Sequence, residues 1–342
     1  MSILCKFINK VYNFFNFHRV FGERGVPFFC AKIFNFFYKK KLTNFDVLLN
    51  TYDGSGQLVH PDIIFDEGEQ LYILAFTPYP FGIDYYENPS VMYGNSLSSL
   101  DKAYPMPISF SEKDERGCHL CDPVLLRYGN LYYCIFLDIL NYNEKRECAF
   151  YYSISEDIKN WSEKKIIKKY VFNASEKKHV LCPAVVKYDQ DLFFYTVHVD
   201  IETDSYLAVS KSCDLENLKQ EKKCIIGNMP HDYYLWHMNI CFYDDYLKTH
   251  SENTNRELLG MFLLRKKGKE ISYKTVFAIS KDFYNWEIFA ELKIPKELDR
   301  KASAIYKGTV VPVSGDILIS YRDINHCWRM AKIPQDLNLM EN

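Results

Sequence analysis

Several proton-transferring and charged side chains fall inside runs that are otherwise apolar. His60 and Asp62 lie in His60-Pro-Asp-Ile-Ile, Asp122 opens Asp122-Pro-Val-Leu-Leu, and Cys182 opens Cys182-Pro-Ala-Val-Val. His237 and Asn239 lie in Trp236-His-Met-Asn-Ile, and Lys307 and Thr309 in Tyr306-Lys-Gly-Thr-Val-Val. A polar group in such a run is costly unless it is satisfied. Carboxylates and an imidazole gathered at one place can move protons to and from a substrate. His237 can also hydrogen-bond a sugar hydroxyl, and Lys307 and Arg322 suit a phosphate or carboxylate. Each has a structural alternative. Asp62 and Asp122 can be purely structural, His237 a satisfied core histidine, and Lys307 and Arg322 solvated charges.

The runs recur, and the recurrence says what positions these residues. Each is followed by a turn and an aromatic-rich strand, such as Leu71-Tyr-Ile-Leu-Ala-Phe, Leu131-Tyr-Tyr-Cys-Ile-Phe and Leu192-Phe-Phe-Tyr. A second element, Ser-x-Asp-x-x-x-Trp, appears at Ser155–Trp161 and Ser280–Trp286, with degraded copies at Ser210–Leu218 and Gly94–Leu100. Five units of four short strands predict an all-β, five-bladed β-propeller, whose radial repetition protects strand edges. A β-sandwich does not repeat at this length. Blades are expected to start near residues 60, 121, 181, 235 and 305. The first strand of each blade lines the axis, so the residues above converge on one mouth of the channel.

Asp122-Pro123 opening a blade, the Ser-x-Asp-x-x-x-Trp turns and the five-unit layout resemble the furanosidase propellers of glycoside hydrolase family 43. His60-Pro-Asp62, Tyr86-Glu-Asn-Pro-Ser90 and Trp236-His237 resemble a bacterial and phage subgroup of that superfamily. The resemblance covers roughly residues 45–335. It implies inverting hydrolysis with a base, a pKa-tuning acid and a proton donor, two of the carboxyl groups spaced to admit a water. Carried over, Asp62 is the loose match to the base and Asp122 the good match to the tuner. The blade-three acid has no counterpart, because Leu181-Cys182-Pro183-Ala184 holds no carboxylate. Glu87 is the substitute expected from its loop, or else a ligand for that loop's backbone amides. His60, Tyr79, Asn88, Trp236, His237, Lys307 and Arg322 complete the expected substrate site, although the aromatics can equally be core. Asp138, His198, Asp200 and Asp323 are expected near the same rim. No metal-binding spacing appears, so neither a metal nor another cofactor is expected.

The first residues are a different material. Residues 1–41 hold eight Lys or Arg against Glu23 alone, and ten Phe, so that the remainder of a chain with net charge −2 carries −9. Ile3, Leu4, Phe7, Ile8, Val11, Phe14 and Phe15 follow helical spacing, as do Val26, Phe29, Cys30, Ile33, Phe34 and Phe37. Residues 1–43 are therefore expected to form a basic helical extension to a propeller spanning 44–342. It either lies on an anionic membrane surface or packs on the propeller. The acidic body argues against nucleic acid. The eleven scattered cysteines predict buried, reduced thiols in a cytoplasmic protein, peripheral on the inner face of a membrane where the extension binds lipid. The expected function is chemistry on the glycosidic bonds of a carbohydrate substrate. Two alternatives stand beside it, a membrane-associated glycosyltransferase of surface-polysaccharide assembly and a non-catalytic sugar-binding propeller.

Overall fold

Alternation of apolar and polar residues, dense in Val, Ile, Tyr and Phe, gives strands that bury one face or both. The computed structural model describes residues 43–100, 105–110, 119–142, 144–201, 204–244, 257–269 and 271–335. The expected helical extension lies outside the described residues. Among the described residues no helix is long and apolar enough to cross a membrane.

The strands form five sheets. A short β1 (Asp46–Val47) precedes blade one, which comprises β2 (Leu58–Asp66), β3 (Leu71–Pro78) and β4 (Ser90–Gly94). Blade two comprises β5 (His119–Tyr128), β6 (Leu131–Tyr142), β7 (Lys145–Ser155) and β8 (Lys165–Asn173). Blade three comprises β9 (Lys178–Tyr188), β10 (Asp191–Asp200), β11 (Asp204–Ser212) and β12 (Lys222–Lys223). Next comes β13 (Ile225–Gly227), which pairs in parallel with the outer edge of blade four. That blade comprises β14 (Tyr233–Phe242), β15 (Leu258–Lys266), β16 (Tyr273–Ser280) and β17 (Asn285–Glu291). Blade five comprises β18 (Ala302–Val310), β19 (Ile317–Asp323) and β20 (Trp328–Ile333), with β1 added as its outer strand. The start of the propeller thus closes the ring against its end, and the Tyr321 hydroxyl bonds Asp46 across that seam at 2.5 Å.

The inner strands β2, β5, β9, β14 and β18 neighbour one another in turn around the axis. They begin two or three residues before the expected blade starts, because pairing already exists ahead of each signature. The core lies between the sheets. One large cluster joins blades two, three and four, and others fill the seams between blades four and five, five and one, and one and two. The Ser-x-Asp turns are built as expected. Asp157 Oδ1 accepts the amides of Lys159 and Asn160, Asp282 Oδ1 those of Tyr284 and Asn285, and Asp214 Oδ1 those of Glu216 and Asn217. Each turn supplies an acceptor for amides that have left the sheet.

Candidate active site

Three inner strands break register at the same place. Pairing is interrupted between Val59 and Asp62, between Cys121 and Val124, and across Cys182 and Pro183. The residue before each proline is left-handed: His60 at φ 55°, Asp122 at 52° and Cys182 at 50°. Such values are unusual for residues other than glycine, and β-bulges serve to re-aim a side chain. Blade four shifts register at Trp236, and blade five skips Tyr306 and Lys307. Gly308 follows because a Cβ there would lie 2.7 Å from the Leu318 carbonyl oxygen.

The five irregularities bring one cluster together. Asp122 Oδ1 lies 3.3 Å from Lys307 Nζ, 3.3 Å from His237 Nδ1 and 3.6 Å from His60 Nε2. All four residues are buried. His60 Nδ1 contacts Thr77 Oγ1 at 3.3 Å, while its Nε2 has no hydrogen-bond partner among the described residues. His237 Nε2 meets the Tyr306 hydroxyl at 2.6 Å, and Trp236 Nε1 donates to the same oxygen at 3.4 Å. The Cys182 thiol donates to the Met238 carbonyl and accepts the Met238 amide, tying blade three to blade four.

Burial and charge divide these groups. Burial would raise the Asp122 carboxyl, but His237, His60 and the Lys307 ammonium overcome it and hold the acid well below its ordinary range. Burial holds His60 down to about 3 despite Asp122, so the imidazole is neutral. Burial pulls Lys307 down, yet Cys182, Asp122 and Asp62 together leave it raised and firmly charged. Burial pushes the Cys182 thiol up to about 12. The cluster is therefore one carboxylate, one ammonium, a neutral imidazole and a protonated thiol, with His237 between the carboxylate and Tyr306.

The other expected site residues fall in several places. Asp62 is buried, but its carboxylate accepts the Leu125 amide at 2.7 Å and the Asn239 amide group at 2.8 Å, and burial raises its pKa. It faces a cavity of about 390 Å³ at the opposite end of the channel, walled by Ile64, Leu126, Val186, Ile240 and Val310. His60, and not Asp62, holds the bulge position in blade one. Glu87 is buried with its carboxylate 3.3 Å from His119 Nε2, at the seam between blades one and two. Asn88 is fully buried and donates to the Tyr52 hydroxyl, which braces the Glu87 loop. Tyr79 donates to Asp84 and stacks toward Trp328, which in turn packs on Tyr306. Arg322 is half-buried across from Trp328, its Nε without a hydrogen-bond partner among the described residues. Thr77, His119, Tyr306 and Trp328 were missed by sequence reasoning. Tyr306 opens the blade-five signature, so its position there was the available signal.

Among the described residues, two groups present potential metal ligands within 4.8 Å of one another: His60, Asp122 and His237, and Glu87, His119 and Cys121. In the first, the Lys307 ammonium lies on the oxygen that a cation would need, so a divalent ion would be set against a buried like charge. In the second, burial, Glu87 and Asp122 hold the Cys121 thiol protonated.

Similar solved structures share the propeller. An N-acetylgalactosamine deacetylase from F. plautii, in complex with blood group B trisaccharide, is 16% identical over 85% of this chain and 94% of that one, with a TM-score of 0.60. An endo-arabinase from Bacteroides thetaiotaomicron is 14% identical over 85% and 97%, at 0.54. An α-L-arabinofuranosidase from Lactobacillus brevis is 10% identical over 81% and 90%, at 0.57. At these identities the likeness is one of fold, the five-bladed propeller of the family-43 glycoside hydrolases. No protein-family model and no curated protein matches the sequence.

Proposed function

We propose that this propeller, with the fold of the family-43 glycoside hydrolases, is a carbohydrate hydrolase that removes an acyl group from a sugar. The observation that carries the reading is His60 Nε2. It is buried, belongs to a neutral imidazole and has no hydrogen-bond partner among the described residues, 3.6 Å from the Asp122 carboxylate. In the tautomer with its proton on Nδ1 toward Thr77, Nε2 can take a proton from an attacking water and return it to the leaving sugar oxygen or nitrogen, and the neighbouring carboxylate offsets part of the cost of the imidazolium that burial otherwise disfavours. The Lys307 ammonium and the Tyr306 hydroxyl are the donors nearest to an oxyanion that would develop on the acyl oxygen.

Inverting cleavage between sugars fits the cluster less well. It asks for two carboxyl groups about 6.5–9.5 Å apart, one of them a proton donor. Asp122 is the only carboxylate in the cluster, and a thiol held at about 12 is a poor donor to a sugar oxygen. Glycosidic hydrolysis remains the second reading because the arabinanase-like neighbours share the fold and Glu87 offers a further buried carboxylate.

One assay separates the readings. The protein is incubated with a panel of oligosaccharides, each with and without O- and N-acetyl groups. Free acetate and new reducing ends are measured in the same samples. Acetate without reducing ends supports deacylation, and its loss in His60→Gln with the fold intact ties it to this cluster. Reducing ends without acetate transfer the assignment to glycosidic cleavage. Neither product from any member removes the enzyme reading and leaves a sugar-binding propeller.

A further inference from the structure

Two arginines stand at the rim above the cluster, although the chain outside residues 1–41 carries a net charge of −9. Arg146 on β7 and Arg265 on β15 reach it from blades two and four. Arg146 donates to Asn141 Oδ1 at 3.0 Å and to His179 Nε2 at 2.8 Å. A guanidinium only donates, so His179 accepts and is neutral. Arg265 lies 4.8 Å above the Trp236 ring, and Trp236 in turn contacts His179. Neither guanidinium has a carboxylate within 4 Å among the described residues: Glu147 pairs with Lys169, and Asp232 with Lys266. Arg265 is held by the Trp236 and Tyr234 rings and by the Lys269 carbonyl, and Arg146 by Asn141 and His179, so both cations are positioned by neutral groups and are left without a counter-charge among the described residues.

The platform leads directly to the reaction centre. Trp236 Nε1 donates to the Tyr306 hydroxyl, and that hydroxyl meets His237, which lies against Asp122. A sugar stacked on Trp236 would place its neighbouring unit over His60, and an anionic substituent on it would meet the two guanidiniums. Their planar forks match carboxylate and phosphate oxygens in pairs.

We infer that the upper mouth selects a glycan bearing an anionic group, a carboxylate or a phosphate or sulfate ester, bound by Arg146 and Arg265 over Trp236. The inference rests on the carbohydrate reading of this site but not on which bond is broken. The test is therefore one of binding. Full-length protein is titrated calorimetrically with an α-1,4-linked tetragalacturonate, with the neutral galactotetraose of the same linkage, and with 6-phosphorylated and 6-sulfated disaccharides.

Tighter binding of at least one anionic probe than of the neutral tetrasaccharide, by roughly tenfold or more, is expected. That preference should shrink as salt rises and vanish in Arg146→Gln/Arg265→Gln. Arg265→Lys, which keeps the charge, should keep part of the preference and controls for loss of fold. Whether the carboxylate or an ester probe wins identifies the anion. Equal binding of charged and neutral probes, no binding of any anionic probe at millimolar concentration, or a preference that survives the double variant would each overturn the inference. Acetate and reducing-end assays are not read here, so hydrolysis can fail while anion selection stands, and the reverse.

Discussion

The two ends of the channel are made from the same five strands and treat their buried carboxylates differently. The lower end is a cavity lined by Ile64, Leu126, Val186, Ile240 and Val310 together with the charged Glu67, Arg127, Lys187 and Asp244, and in it Asp62 and Asn239 are bonded to each other. The upper end gathers a carboxylate, an ammonium and two imidazoles within 3.6 Å of one oxygen. Asp62 and Asp122 are about equally buried, at 4% and 1% exposure, yet one is shifted up and the other down. Burial acts alike on both. The difference lies in what each meets: amide donors for Asp62, and cationic or polarisable nitrogen groups for Asp122. The bulges decide this, because turning one residue out of register sends its side chain into the axis rather than along the wall.

The largest expected effect follows from the Asp122–Lys307 pair. Removing one member of a buried ion pair costs about 3–5 kcal/mol, because the other charge is left uncompensated. Asp122→Asn should lower stability to urea by that amount at pH 7 and abolish activity. Asp122→Asn/Lys307→Met should recover most of the stability and none of the activity. If the double variant is no more stable than the single, the ammonium is not held by this carboxylate, and the contrast between the two ends loses its basis.

Acid should act mainly on the upper end. His60 is held to about 3 against an ordinary 6.5, so between those values the unfolded chain binds a proton that the folded chain refuses. Its contribution to stability is whole above pH 6.5 and is lost as pH falls toward 3. Asp122 works in the same sense. Its contribution is whole above the ordinary 3.8 and is lost as pH falls through its lowered folded value. His179, held at about 4 by burial and by Arg146 and Arg265, adds to the slope from the rim. The urea midpoint should therefore fall from pH 6.5 to about 4, and His60→Gln should flatten that fall by the share His60 contributes. An unchanged slope in the variant would show that His60 titrates alike in both states.

The propeller was legible because five apolar signatures repeat, and the turn aspartates were legible because Asp157 and Asp282 share a spacing. Asp122, His237 and Lys307 were found because charged residues stand out in apolar runs. His60 and Asp62 were both read as site residues, and pattern reading could not say which of them leaves the register. Both flank Pro61, and alternation along a strand cannot show that the left-handed turn falls on the residue before the proline. Cys182 and Tyr306 were quoted in their signatures, but a thiol and a phenol inside an apolar run look like core. Arg146 and Arg265 were invisible as a pair, since 119 positions and a whole intervening blade separate them in sequence and only the ring brings their blades to one rim.

The finest test of the contrast is Asp62→Asn. Burial raises the folded pKa of Asp62, so the folded chain keeps this proton to higher pH than the unfolded chain does. Its contribution is fullest below the ordinary 3.8 and declines as pH rises toward the raised value. An asparagine is close to the protonated acid in shape and charge, and it can still accept the Leu125 amide while Asn239 turns to meet it. The variant should differ from the parent by no more than about 1 kcal/mol. It should gain on the parent as pH rises above the ordinary 3.8, while Asp122→Asn stays well below it. Activity should persist, because the lower floor does not touch the upper cluster. Full loss of turnover in folded Asp62→Asn would instead make the two ends a single site joined through Lys307, whose charge both aspartates feel.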